Sequence, residues 1–419
     1  MLNLTLGTPP QRIQVNLDTG SSDFSVIAAS AILCEANNPR CRQLGTYNAN
    51  KSSTYKFVDD NLDISYPYSS TARGDFATDT MTVAGISLPN VQFGITYNDF
   101  DLNVLGLGYG SESTDLYGNF LEILANNGMI NSVAYSMWTD NTEGTGTILF
   151  GGVNTAQYTG DLRTLPIPTV GGEFRQPAVL VTGMALQASS SLSSTYTSSA
   201  LPEYMILDSG LYYTYLPNHI ALWLYTTLGG YFNDEIGDGY VPCSVGEQNY
   251  NLTFTFTNFD IAVSLSSLVQ SLDDGGSNCS FLIMPSGGGG AILGGSFLSS
   301  AYVVYDLSNN EVALAPRNKN PGVDNIVEIG NSSAVGAAAM TVSVKPTVSA
   351  KPTVSAVIPT TVLKDTTPTS TGDIWGFDTS ATSRRQLFTS TSTALAVFPT
   401  SHPRGVIAGL AGAGLLLAL

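Results

Sequence analysis

Two short motifs carry the residues best suited to chemistry in this chain, Asp18-Thr19-Gly20 and Asp208-Ser209-Gly210. Each puts an aspartate after an apolar run, residues 13–17 in one case and 204–207 in the other. A small hydroxyl residue follows, then a glycine that permits a tight turn. One such tripeptide is commonly a turn aspartate bonding its own backbone. Two of them, 190 residues apart and each after a buried-type strand, predict a duplicated lobe with one carboxyl per copy. Two carboxyls held together cannot both ionise at low cost, so one pKa rises, the other falls, and the pair keeps one proton over an acidic range. The ionised member can take a proton from water while the protonated member donates to a carbonyl oxygen. That chemistry suits amide hydrolysis. Which aspartate plays which part is not assigned at this level, because the titration belongs to the pair.

The rest of the composition removes competing chemistries. The 419 residues include two histidines, His219 and His402, too few for a multi-histidine metal site. The four cysteines, Cys34, Cys41, Cys243 and Cys279, show no C-x2-C spacing, and no P-loop, zinc-protease or G-x-S-x-G motif occurs. No metal and no cofactor is expected. With 33 acidic against 16 basic residues and a net charge of -17, the chain lacks the cations that nucleic-acid binding needs. No Lys or Arg lies between Arg175 and Arg317, while eleven acidic residues do. Such a segment repels itself at neutral pH and relaxes as its carboxylates protonate, which points to an acidic working environment.

Positioning two carboxyls requires a rigid frame, and the sequence predicts an all-β one. Short β-branched and aromatic runs, at 12–17, 91–97, 178–184, 252–257 and 301–307, alternate with Gly, Asn, Asp and Pro. Two segments, 119–126 and 219–228, read as helices. The division expected is an N-terminal lobe at 1–164, a connection at 165–177 and a C-terminal lobe at 178–330. A Ser/Thr/Pro-rich stalk at 331–404 and an apolar tail at 405–419 complete it.

The ordered motifs of residues 4–316 resemble the pepsin-like aspartic proteases. Gly7-Thr8-Pro9-Pro10-Gln11 precedes Asp18, Ser52-Ser53-Thr54-Tyr55 follows, and Leu105-Gly106-Leu107-Gly108 and Phe150-Gly151-Gly152-Val153 come next. Ile292-Leu293-Gly294-Gly295 and Tyr302-Val303-Val304-Tyr305-Asp306 match the closing motifs. The resemblance implies a bilobal fold with an active cleft between the lobes and no cofactor. It implies Asp18 and Asp208 as the catalytic pair of an aspartic endopeptidase acting on proteins or peptides. Thr19 and Ser209 would brace the two loops, Gly20 and Gly210 turn them, Ser21 bond the first aspartate, and Tyr66 belong to the flap that closes over substrate. It also implies the disulfides Cys34–Cys41 and Cys243–Cys279, and a monomer.

The chain departs from the family pattern in four places. Leu211 stands where the family has Thr or Ser, removing a hydroxyl bond to Asp208, which should raise that carboxyl's pKa and could crowd the site. Pro67 in the flap fixes φ and removes an N–H. Ser25 replaces the Trp that commonly positions the flap tyrosine. The chain opens inside the expected first strand, which would leave unpaired backbone near the lobe junction. These departures frame the alternative, a catalytically impaired binding protein on the same fold at the cell wall. A surface adhesin built around the stalk is a third reading.

Residues 345–356 repeat Lys-Pro-Thr-Val-Ser-Ala twice, in a segment too polar to fold alone and of the composition of an O-glycosylated stalk. The last 15 residues are almost wholly apolar and follow a ten-residue spacer and the small residues Ser392-Thr393-Ala394. That is the layout of a GPI signal, with Ser392 the expected attachment residue and Ser390 next. With the stalk, it makes the chain most similar to the yapsin-type branch, whose members sit at the cell surface on the plasma membrane or wall. Sequons at Asn3, Asn50, Asn251, Asn278 and Asn331 fit a secreted glycoprotein. No signal peptide is visible at the start, so the true start is expected to lie upstream.

Overall fold

The computed structural model describes residues 1–66, 71–98, 100–110, 118–140, 145–188, 193–196, 201–272, 275–330, 339–341 and 415–418. Pro67, the sequon at Asn331 and Ser392, the expected attachment residue, lie outside the described residues. Among the described residues no helix is long and apolar enough to cross a membrane.

Period-two alternation builds the first strands. β1 (Leu2–Leu6) buries its three leucines and turns Asn3 outward, and β2 (Gln11–Asp18) buries Ile13, Val15 and Leu17. The alternation breaks at the end of β2, where Leu17 and Asp18 are both buried. β3 (Phe24–Ile27), β4 (Lys56–Ser65), β5 (Thr71–Val83), β6 (Ile86–Thr96) and β7 (Val104–Gly106) complete the order β1-β2-β7-β3-β6-β5-β4. A further β1–β5 pairing closes the sheet on itself. β1 is therefore paired along both edges, with β2 at residues 2–6 and with β5 at residues 4–6.

The second half repeats the arrangement. Ala178–Val181, Glu203–Leu207, Ala291–Leu293, Thr214–Leu216 and Ile283–Pro285 lie side by side in that order. Their neighbours run antiparallel, parallel, antiparallel and parallel. The series β1-β2-β7-β3-β6 has the same succession. In each copy an aspartate stands at the end of the second strand, Asp18 as the last residue of β2 and Asp208 just after Glu203–Leu207. One expected strand is two: the run at 178–184 breaks at Thr182, and Gly183–Ala188 joins Tyr250–Phe256 in a separate sheet. There the Thr182 N–H and hydroxyl both donate to the Thr255 carbonyl, at 2.8 and 3.2 Å.

A third sheet joins the halves, in the order Leu162–Pro166, Glu311–Pro316, Ala301–Asp306, Ala134–Asp140, Thr145–Phe150. Ala339–Thr341 and Leu415–Ala418 add to its two edges. All six residues of Ala301–Asp306 are buried, as expected of a strand covered on both faces. The two expected helices form at Phe120–Asn126 and Asn218–Leu228. Asn119 and Glu122 make a capping box on the first, and Gly229 ends the second in the left-handed region. Cys34 is bonded to Cys41 and Cys243 to Cys279.

Buried polar side chains fix the first lobe's loops. The Asp79 carboxylate, 1% exposed, accepts from Tyr47 at 2.6 Å, from Thr54 and from the Thr80 N–H at 2.7 Å. Ser52 accepts the Thr8 N–H at 3.0 Å, so the Ser-Ser-Thr motif ties the turn at residues 7–10 to β5. Asn103 is fully engaged: its Oδ1 accepts the Ile27 N–H at 2.7 Å, and its Nδ2 faces the carbonyls of Gln14, Leu44 and Gly45 at 3.1–3.2 Å. It thereby holds β2, β3 and the 39–45 segment in one place. Asn103→Ala strands these buried groups and is expected to cost about 3 kcal/mol, read from urea denaturation. A loss under about 0.5 kcal/mol would contradict this account.

Candidate active site

Each aspartate is delivered by a strand and locked by the parallel neighbour. Asp18 stands in register with Gly106 of β7, and the Leu107 N–H donates to the Asp18 carbonyl at 2.7 Å. In the other copy the Asp208 N–H donates to the Leu293 carbonyl at 3.1 Å. The glycines at the ends of these neighbour strands, Gly106 closing β7 and Gly294 following 291–293, are obligatory because the chain passes too close for a side chain. A Cβ on Gly106 would strike the Ser22–Asp23 backbone, and one on Gly294 the Tyr213 carbonyl. The turns close alike: Gly108 N–H to Ser21 carbonyl at 2.7 Å, and Gly295 N–H to Leu211 carbonyl at 2.8 Å.

Thr19 and Ser209 then bind the copies to each other reciprocally. Thr19 Oγ1 donates to the Leu207 carbonyl at 2.7 Å and accepts the Ser209 N–H at 3.0 Å. Ser209 Oγ donates to the Leu17 carbonyl at 2.8 Å and accepts the Thr19 N–H at 3.2 Å. Asn16 Nδ2 adds a bond to the Gly210 carbonyl at 3.2 Å.

The carboxyls meet inside this bracket, each 7% exposed. Asp18 accepts from the Gly20 N–H at 2.9 Å and from Ser21 Oγ at 2.5 Å. Asp208 accepts from the Gly210 N–H at 2.7 Å. A Cβ on Gly20 would lie 2.6 Å from the Asp208 carboxyl, and one on Gly210 would strike that of Asp18. Each glycine thus presents bare backbone to the opposite acid. Burial pushes the Asp208 carboxyl well above the usual range, and the charge of Asp18 and the hydrogen bond between the two carboxyls push it further. The N–H groups of Gly210 and Leu211 pull the other way. The pair therefore holds a proton to higher pH than a free carboxyl would.

Of the four departures, two acquire a physical account here. The Leu211 side chain packs with Tyr204 and Tyr215 on Ala178, Ile206 and Ile292, in a small apolar cluster of its own. Its N–H still bonds Asp208. Tyr66 is half-buried and stacked on Phe100 at 5.1 Å. Burial and then the charge of Asp18 raise its phenol, and the fully buried Ser25 hydroxyl opposes that shift from the position where the family has Trp. The sequence reading gave no role to Phe100, Tyr135 or Tyr305. Tyr135 and Tyr305 lie under the pair, and Tyr305 was visible only as a motif letter.

Two measurements follow from this geometry. Thr19→Val keeps the shape but removes a donor and an acceptor, and is expected to cost about 2 kcal/mol in urea denaturation. The second is the pH dependence of stability. Asp208, Glu203 and Asp306 are all raised, first by burial. Above about pH 4 the unfolded chain ionises while these groups keep their protons, so their stabilisation is lost as pH rises through the folded values. In Asp79, burial acts upward, but bonds from Ser52, Thr54, Tyr47 and Thr80 outweigh it and lower the pKa. Its contribution is lost as pH falls below about 4. Thermal unfolding is therefore expected to peak in mildly acidic buffer and to fall steadily toward pH 8. A melting temperature that rises toward pH 8 would refute it.

The comparisons with known proteins agree with this geometry. A model of the eukaryotic aspartyl protease family matches residues 1–317. The chain is similar to "Probable aspartic-type endopeptidase opsB" of Aspergillus oryzae, at 40% identity over 99% of this chain and 85% of that protein. It is 34% identical to barrierpepsin of Saccharomyces cerevisiae over 76% of this chain and 60% of that protein. Aspartic proteinase 3 of the same yeast is 30% identical over 81% of this chain and 74% of that protein. A duplicated strand unit, a reciprocal hydroxyl bracket and two buried facing carboxyls are what such a family would conserve in space, and the chain belongs to the eukaryotic aspartyl proteases.

Proposed function

We propose that this chain is an endopeptidase that hydrolyses peptide bonds at acid pH, through a water molecule activated by Asp18 and Asp208. The observation that carries the reading is the contact of two buried carboxyls, each facing the bare Cα of the opposite Asp-x-Gly turn. Asp208, holding the proton, donates to the carbonyl oxygen of the scissile amide. Asp18 takes a proton from the water as its oxygen attacks the carbonyl carbon. The tetrahedral intermediate then collapses as the amide nitrogen is protonated and the C–N bond breaks. Thr19 and Ser209 keep the carboxyls at a fixed separation. Gly20 and Gly210 leave room for the water, and Ser21 anchors Asp18. Tyr66 closes over the substrate backbone. The catalytic unit spans 1–330, with lobes at 1–164 and 178–330. It works as a monomer on protein or peptide substrates outside the cell, as a glycoprotein held at the surface by a lipid joined to the Ser392 carboxyl as residues 393–419 are released.

The test uses secreted protein ending before residue 405, produced from its full precursor, and a mixed peptide library between pH 3 and 7. Cleavage is expected to be best below about pH 6. Asp18→Asn and Asp208→Asn should each reduce it by at least about 10³-fold with the fold intact. Residual cleavage in both variants would end the dyad mechanism. Leu211→Thr restores a hydroxyl donor to Asp208 and should move the alkaline limb of the pH profile downward. Anchoring is checked separately: a chain stopped at residue 404 should appear in the medium, whereas the full chain stays with the cells.

A further inference from the structure

Beneath the two aspartates lies a pair of buried tyrosines that the reaction scheme above leaves without a part. Tyr135 comes from Ala134–Asp140 and Tyr305 from Ala301–Asp306, adjacent strands of the sheet that joins the halves, where the two residues stand in register. Their rings stack at 4.8 Å and 16°. Neither touches solvent appreciably, at 0% and 1% exposure. The Tyr135 hydroxyl donates to the Leu107 carbonyl at 3.0 Å. Leu107 in turn donates its N–H to the Asp18 carbonyl at 2.7 Å. One residue of the turn is therefore clamped on both sides, to the sheet below and to Asp18 above. Tyr305 approaches from the same strand pair and reaches the Thr19 hydroxyl. A rigid stacked pair thus touches both supports of Asp18, the β7 turn and the hydroxyl bracket.

We propose that Tyr135 is a positioning residue of the catalytic pair, which acts through Leu107 to hold Asp18 at its working distance from Asp208. The consequence is electrostatic. The separation between two coupled carboxyls sets the gap between their two titrations. Coulomb energy falls with distance, so a turn free to relax away from Asp208 lets the two values converge. The titratable groups facing Tyr135 are Tyr305, Asp18 and Tyr109, and Asp208 faces Asp18 and Tyr305. The carboxyl pair supplies the charge among these groups, so a change in its gap reports the pair itself.

This inference rests on Asp18 and Asp208 working as a pair, and its readout is chosen to survive without turnover. In Tyr135→Phe the ring stack is kept and the bond to Leu107 is lost. Carbon-13 NMR titration of the aspartate carboxyls should show the gap between the two macroscopic values narrowing by about half a pH unit or more, the lower rising and the upper falling. In peptide hydrolysis the bell should narrow from both sides, with kcat down about 3- to 10-fold and KM changed less than about twofold. Tyr302→Phe is the control: Tyr302 is equally buried and bonds Ser136 and the Asn154 N–H at 2.8 and 2.7 Å, away from the pair. It should lower stability and leave both carboxyl values in place. An unchanged gap in Tyr135→Phe, or an equal narrowing in Tyr302→Phe, overturns the proposal. Should Tyr135→Phe not fold, Tyr305→Phe serves, with the same narrowing expected and an unchanged gap decisive against. If the wild type cleaves nothing while the narrowing is seen, the endopeptidase reading fails and this one stands.

Discussion

The whole arrangement depends on keeping two carboxyls in contact inside the protein. An isolated buried carboxylate is costly, and a second one beside it adds repulsion. The pair persists because each turn is satisfied by the other's backbone and hydroxyl. Thr19 bonds Leu207 and Ser209, and Ser209 bonds Leu17 and Thr19. Breaking either side would leave buried groups unpaired in both halves, so the separation of the acids is fixed by a closed set of hydrogen bonds. One shared proton removes most of the repulsion, and burial together with the charge of Asp18 raises the Asp208 carboxyl.

That closed set needs two nearly identical frames facing each other, and the duplicated strand unit supplies them. The parallel neighbour at residues 104–106 or 291–293 passes so near the aspartate turn that glycine is forced at 106 and 294. The sheet joining the halves adds a floor of buried aromatic residues. Rigid frames and a dry floor make the geometry reproducible, which preorganised acid–base chemistry requires.

Cations play little part in this. The ion pairs Arg73–Asp63, Arg163–Asp161 and Arg175–Glu173 lie at the surface, where such pairs contribute little. Buried carboxyls are held by neutral donors instead. Asp79 is held by Tyr47, Thr54 and a backbone N–H, and Asp306 by Asn309 and Ser132. A protein with no Lys or Arg between Arg175 and Arg317 has few alternatives, and hydroxyl and amide donors keep their function when the surroundings turn acidic.

Sequence by itself determined what local chemistry and spacing can carry. It gave the two aspartates, their hydroxyl and glycine followers, most of the strand runs, both helices and the family resemblance. Each of these depends on residue type and period within a short window. Tertiary structure decided whatever depends on contacts between distant segments. The run at 178–184 splits because Thr182 bonds Thr255, 73 residues away. Leu211 finds an apolar place because folding brings Ala178, Ile206 and Ile292 together beneath it. The Asp208 carboxyl is raised because folding buries it beside Asp18, and Tyr135 reaches Leu107 across 28 residues. Burial and proximity set these outcomes, and neither exists until the chain has folded.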